Sequence, residues 1–205
     1  MTEISKLFGK YDIVYVDPPW SYYGDPNKMA AAGKHYSLMS DEDLAEMPVR
    51  RLLRDPKRGA FFIWATCPRL DLAIRTIKAW GLCYRGVAFN WVKTRKDGSV
   101  IGAQGVPPTA TKPTSELCLL ATTKPKGRPF PLLDASVPQM FLAPRGRHSE
   151  KPAQVRDLIV KLYGDRPRIE LFARQTAEGW DAWGNEVYGE EENRRNTQLE
   201  MPFLL

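Results

Sequence analysis

Apolar residues in this chain come in short, nearly continuous runs set between polar and proline-rich stretches. Residues 12–16 (DIVYV), 59–66 (GAFFIWAT), 86–94 (GVAFNWVKT), 115–123 (SELCLLATT) and 168–174 (RIELFAR) have the length and the β-branched or aromatic content of buried strands. Two stretches follow a helical period instead. In 68–81, PRLDLAIRTIKAWG, the residues Leu70, Ala73, Ile74 and Ile77 share one face, with Pro68 near the start and Gly81 at the end. In 152–164, PAQVRDLIVKLYG, the same spacing joins Val155, Leu158, Ile159 and Leu162. A further helical segment, 40–54, opens with Ser40 three residues before Asp43, an N-terminal cap, and Pro48 should break or kink it. Strands apolar on both faces, alternating with helices, predict an α/β fold whose sheet is covered on both sides.

Two connections are too long to be simple links. One is 21–39; the other is 95–114, rich in Gly, Pro and Thr and carrying Arg95, Lys96 and Lys112. Loops of this length usually carry function or are disordered. The residues after Gly189 are densely charged and then apolar, which sets off a tail, 190–205, from one domain of 1–189. A chain of 205 residues buries a substantial core without staples.

Composition narrows the class. No apolar run is long enough to span a bilayer, and the first residues lack the basic-then-apolar shape of a signal peptide. Three cysteines, Cys67, Cys83 and Cys118, contain no CxxC pair, so free thiols in a reducing cytoplasm are expected rather than a disulfide framework or a metal site. The net charge is +6, and segment 93–151, with ten Lys and Arg against four Asp and Glu, holds an excess as large as the whole chain's. One surface meeting a polyanion would explain that placement.

The end of the first strand carries candidate chemistry. Residues 17–20 read Asp-Pro-Pro-Trp, where ligand sites of open α/β sheets gather. An exocyclic amine on a nucleobase is a poor nucleophile because its lone pair is delocalised into the ring. A carboxylate and a neighbouring carbonyl accepting its two N–H groups would localise that lone pair. Asp17 supplies the first acceptor and Pro18 the second, with no N–H on Pro19 to compete, while Trp20 offers a face for a base worth ~1–3 kcal/mol. Such a base is taken out of its helix or is single-stranded. The same four residues also serve as strand-end punctuation, with Asp17 capping a turn and Trp20 in the core. Their chemistry alone leaves both readings open.

YVDPPWSY, KHYSLMSDEDL, FFIWAT, IKAWG, NWVKT, TSELCLLAT, RHSEKPAQVRDLI and PRIELFAR followed by GWDAWGNEV occur in this order between residues 10 and 189. The set resembles the MT-A70 family of adenine N6-methyltransferases, nearest its bacterial and phage branch. The resemblance implies a Rossmann-like methyltransferase fold with permuted motif order, the catalytic motif preceding the cofactor motifs. No G-x-G-x-x-G occurs, which argues against a nicotinamide cofactor. The implied cofactor is S-adenosylmethionine and the implied substrate adenine in DNA, with RNA the alternative and a silent nucleic-acid-binding partner a second one. The implied state is a monomer or homodimer, a partner subunit staying open.

The resemblance also assigns residues. Asp17, Pro18, Pro19 and Trp20 match the catalytic tetrapeptide. Lys151 matches a lysine near the cofactor's carboxylate, and Phe172 and Arg174, with Gln175 after them, match the adenosine and ribose side. Asn185 and Glu186 match ribose contacts, and Glu116 matches an acid near the substrate base. Glu170 and Arg174 are alternatively a structural ion pair, and Trp180 and Trp183 read as packing residues. Nucleic-acid contacts are expected from Tyr22, Tyr23, His35 and Tyr36 in the first long loop and from Lys93, Arg95, Lys96 and Lys112 on or beside the second. Larger relatives hold the cofactor's adenine with an upstream acid, and only 16 residues precede Asp17 here, so that contact is expected to be absent or remade.

Overall fold

The computed structural model describes residues 3–20, 39–102, 111, 113–146, 150–184 and 187. Within them the strands are β1 (Ile13–Val16), β2 (Ala60–Ala65), β3 (Cys83–Thr94), β4 (Ser115–Thr122), β5 (Met140–Pro144), β6 (Arg168–Leu171) and β7 (Asp181–Trp183). The helices are α1 (Asp41–Glu46), α2 (Leu70–Ala79) and α3 (Gln154–Tyr163). The strands join in one sheet in the order β5-β3-β4-β2-β1-β6-β7. β1 runs parallel to β2 and β6, β6 to β7, and β3 to β5, whereas β4 runs against both of its neighbours. Six strands therefore end at the same edge of the sheet, and β4 alone starts there.

Alternation along each strand builds a core on both faces. Val14, Val16, Phe61, Ile63 and Ala65 face Leu44 of α1 and Leu72, Ala73 and Ile77 of α2. Ile13, Tyr15, Phe62 and Trp64 face Val155, Ile159 and Tyr163 of α3. The expectation of a sheet covered on both sides is met, and the continuous apolar runs of β1 and β2 are explained by it. Among the described residues no helix is long and apolar enough to cross a membrane.

Local signals account for the element ends. The Ser40 hydroxyl accepts the Asp43 N–H at 2.9 Å, capping α1. Pro48 breaks the predicted helix, which resumes as a 3-10 turn at Val49–Leu52. α2 gives way to Gly81 at φ +70°, a left-handed turn that glycine adopts without strain. The predicted strand 86–94 extends back to Cys83 across two register shifts, and the predicted strand 168–174 stops at Leu171. β5 and β7 were not expected.

Candidate active site

β1 carries the chain to the common strand edge, where the Asp17 N–H still reaches the Leu171 carbonyl at 3.5 Å. Pro18 and Pro19, without N–H groups, end the pairing there. The Trp20 N–H donates to the Pro18 carbonyl at 2.8 Å, closing a tight turn. That bond corrects the expectation of an uncontested Pro18 carbonyl: one lone pair is already used and one is left to face a substrate. Trp20 is only 7 % exposed, and its Nε1 donates to the Trp64 carbonyl at 2.8 Å. Its ring is therefore a core wedge that fixes the turn, not the open plate expected for base stacking.

Asp17 ends a row of four alternating charges. Lys151, just before α3, places Nζ 2.9 Å from Asp17 and 3.4 Å from Glu116 of β4. Lys93 at the end of β3 holds the other Glu116 oxygen at 2.5 Å. Trp64 and Trp91 lie under this row, with Lys151 Nζ 5.7 Å and Lys93 Nζ 5.2 Å from their ring centres. β4 running antiparallel explains the meeting: its first residues arrive where the neighbouring strands end.

The electrostatics follow from burial and pairing. Burial raises the Asp17 carboxyl above its ordinary range, and Lys151 only partly reverses this. Burial works the same way on Glu116, but Lys151 and Lys93 together outweigh it and hold the group below its ordinary value. Burial alone would lower the Lys151 ammonium; Asp17 and Glu116 overcome it, so the group stays charged well above the usual lysine range.

β6 brings the second half of the site. Phe172 follows it in the left-handed region at φ +59°, a strained conformation for an aromatic residue. Its ring packs edge-on against Trp183 at 5.4 Å, and the Ala173 N–H donates to the Trp183 carbonyl at 3.0 Å. A Cβ on Gly184 would lie 2.3 Å from the Ala173 carbonyl oxygen, so only glycine lets the chain leaving β7 pass this turn. Asp17, Lys151, Phe172, Arg174 and Gln175 line one cleft of about 110 Å³, together with Glu150, Arg156 and Glu170.

Two expectations about charge change. Glu170 pairs with Arg156 of α3, through bonds of 2.6 and 3.2 Å, and not with Arg174. Arg156 was missed, although a carboxylate inside a four-residue buried strand signals a cationic partner on the covering helix. Lys93, expected on nucleic acid, keeps only 24 % of its side chain exposed and is spent on Glu116. Arg95 stays exposed and closes a turn by donating to Ser99 Oγ at 3.1 Å, and Lys96 is exposed beside it. Trp180 and Trp183 are packing residues, as expected, at 8 % exposure each. Tyr22, Tyr23, His35, Tyr36, Lys112, Asn185 and Glu186 lie outside the described residues.

Known proteins place this arrangement. The chain is 31 % identical over 196 residues to the type II methyltransferase M.MunI of a Mycoplasma species, covering 87 % of this chain and 78 % of that protein. It is 30 % identical over 190 residues to the N6-methyladenosine RNA methyltransferase MTA1 of Pyricularia oryzae, covering 86 % of this chain and 47 % of that protein. It is 29 % identical over 189 residues to the N(6)-adenine-specific methyltransferase METTL4 of Homo sapiens, covering 86 % of this chain and 37 % of that protein. The chain thus spans less than half the length of the last two. Residues 11–186, from the start of β1 through the Gly184 turn, match the model of the MT-A70 family, and the chain belongs to that family.

Proposed function

We propose that this protein transfers the methyl group of S-adenosylmethionine to the N6 amine of adenine in DNA. The observation that carries the reading is the row Asp17, Lys151, Glu116 and Lys93, set at the strand edge beside the cleft that Phe172 and Arg174 line. DNA is supported by the match that covers 78 % of a type II methyltransferase of a Mycoplasma species. The shorter match to an RNA methyltransferase makes RNA adenosine the second reading.

The donor set of the cleft fits the cofactor. Lys151 would hold its carboxylate, Phe172, Arg174 and Gln175 its adenosine and ribose side, and Asp17 and Glu170 would offset its positive charge. The enclosed space of about 110 Å³ suits the amino-acid end rather than the whole molecule. When bound, the cofactor supplies an electrophilic methyl group, so no metal is needed.

The chain's own residues do the rest. Asp17 accepts one amine N–H, and the free lone pair of the Pro18 carbonyl accepts the other, which turns the nitrogen lone pair toward the cleft. Lys151 keeps Asp17 ionised despite its burial, and Glu116 with Lys93 keeps Lys151 in place. Asp17 then receives the proton that the amine sheds, directly or through water, so a strong base is unnecessary.

Incubation of wild type and Asp17→Asn with labelled cofactor and matched DNA and RNA oligonucleotides tests this. We expect label in the N6 position of DNA adenine, a ~10²–10⁴-fold loss of turnover in the variant, typical of removing a proton-transfer group, and retained cofactor binding. Undiminished turnover of Asp17→Asn would sink the mechanism, and label entering only RNA would sink the choice of substrate.

A further inference from the structure

The opposite edge of the sheet, where β1, β2, β3 and β6 begin and β4 ends, carries a separate cationic cluster. The turn after β4, residues 123–129, presents Lys124, Lys126 and Arg128 to solvent. Beside it lie Lys57 and Arg58 before β2, and Arg85 of β3. Among the described residues none of these six forms an ion pair, whereas other cations nearby do: Arg54 and Arg166 with Asp12, Arg168 with Asp165, and Lys161 with Asp134.

The cluster is built rather than scattered. Arg85 Nη1 donates to Thr122 Oγ1 at 3.3 Å, to the Lys124 carbonyl at 3.1 Å and to the Gly127 carbonyl at 2.9 Å. One guanidinium thus ties the end of β4 to two carbonyls of the turn, whose two lysines are exposed. Arg58 Nε donates to the Pro129 carbonyl at 2.7 Å, and its guanidinium lies 5.1 Å from the Phe130 ring centre. Arg166 stacks on Phe130 at 4.2 Å. Burial raises the Tyr163 hydroxyl, and the positive charges of Arg128 and Arg85 partly pull it back. Nearby acids are few: Asp12 is already paired, and Asp55 accepts the Lys57 backbone N–H at 2.8 Å.

We propose that this basal cluster is a second nucleic-acid contact that grips phosphate oxygens at the end of the sheet opposite the reaction site. Unpaired, pre-positioned guanidinium and ammonium groups suit phosphodiesters, which arginine meets with paired N–H donors. β4 has eight residues, so the two edges lie roughly 25 Å apart, a span that a duplex beside the sheet covers in roughly seven base pairs. The cluster would hold the flanking duplex while the site takes the extruded base. The proposal rests on the nucleic-acid substrate proposed above.

Fluorescence anisotropy with a 30-bp duplex containing adenines, titrated at several salt concentrations, tests it. Lys124→Gln/Lys126→Gln removes two phosphate contacts, and Lys6→Gln/Lys78→Gln removes the same charge from exposed positions elsewhere. We expect the basal pair to weaken binding ~5–10-fold at low salt and to lower the salt slope by about 1.8, at ~0.9 per contact. The control pair should move neither by more than a fraction of this. Equal effects from the two pairs, or no effect from either, would overturn the proposal. Asp17→Asn is measured alongside: a wild type that binds but never methylates refutes the reaction, while the contrast between the two lysine pairs still decides the basal contact.

Discussion

Replacing Lys93 by Met would leave one cation for two buried carboxylates. In the wild type the row runs plus, minus, plus, minus, with contacts of 2.5, 3.4 and 2.9 Å between neighbours. Removing the Lys93 charge takes away a cation that stands three contacts from Asp17 and whose pull on the carboxylate weakens with that separation. Lys151, no longer shared against Lys93, is also drawn toward Glu116 and away from Asp17. Both effects raise an Asp17 carboxyl that burial has already raised. In the proposed mechanism Asp17 acts as an acceptor and so must be ionised; a raised pKa then costs activity at the acid end and spares it at high pH. The assay is the pH dependence of kcat/KM for label transfer to DNA, with folding checked by circular dichroism. The acid limb should move to higher pH while the high-pH plateau falls less than about threefold. A rise in KM for DNA with an unmoved limb would refute this reasoning and return Lys93 to a phosphate contact.

Other variants separate structure from chemistry. Glu170→Gln leaves the Arg156 guanidinium without its anion at the α3–β6 contact and should cost ~3–5 kcal/mol by urea unfolding; Arg156→Met/Glu170→Met should recover part of that loss. Gly184→Ala drives a methyl into the Ala173 carbonyl, 2.3 Å away, and should cost at least ~1–3 kcal/mol. It should also weaken cofactor binding measured by calorimetry, because the Phe172–Arg174 turn has to shift. Trp20→Phe keeps an aromatic ring but deletes the bond to the Trp64 carbonyl, worth ~1–3 kcal/mol once that acceptor is left unpaired. It should lower melting temperature and kcat without changing affinity for DNA. A selective loss of DNA affinity would mean that the ring stacks a base after all.

Periodicity made the central elements legible because they bury both faces. β1, β2 and α2 are continuous apolar runs or clean helical stripes, and their observed bounds fall within a few residues of the expected ones. β5 and β7 escaped because edge strands of five and three residues show little of either pattern. In β5 only Phe141 and Ala143 are buried, and Met140 and Leu142 face solvent. The site was legible where residues follow strand ends, as Asp17 and Phe172 do. Trp20 and Lys93 make contacts that their residue types did not announce, for one reason: residue type states what a side chain can contact, and topology decides what it does contact. An indole beside a site reads as a stacking plate until a carbonyl of β2 is found at its N–H. A lysine before a basic loop reads as a phosphate ligand until an antiparallel strand sets a glutamate opposite it.

The excess charge of the middle segment shows that rule at larger scale. Residues 93–151 carry as much net positive charge as the whole chain, and a single polyanion-facing surface is the simplest reading of that number. β4 lies inside the segment and crosses the sheet from one edge to the other, between the loop after β3 and the turn before β5. Lys93, Arg95, Lys96 and Lys151 consequently gather at the reaction edge, while Lys124, Lys126 and Arg128 emerge at the base. The two groups then differ in kind. At the edge that carries Asp17, Lys93 and Lys151 are paired with Glu116 and Asp17, so part of the excess is neutralised by carboxylates. At the base Lys124, Lys126 and Arg128 have no carboxylate partner among the described residues, and Arg85 holds the turn that carries them through the Lys124 and Gly127 carbonyls. Salt-dependent affinity for DNA should therefore respond more to Lys124 and Lys126 than to Lys93, an ordering opposite to the one that distance from Asp17 would suggest.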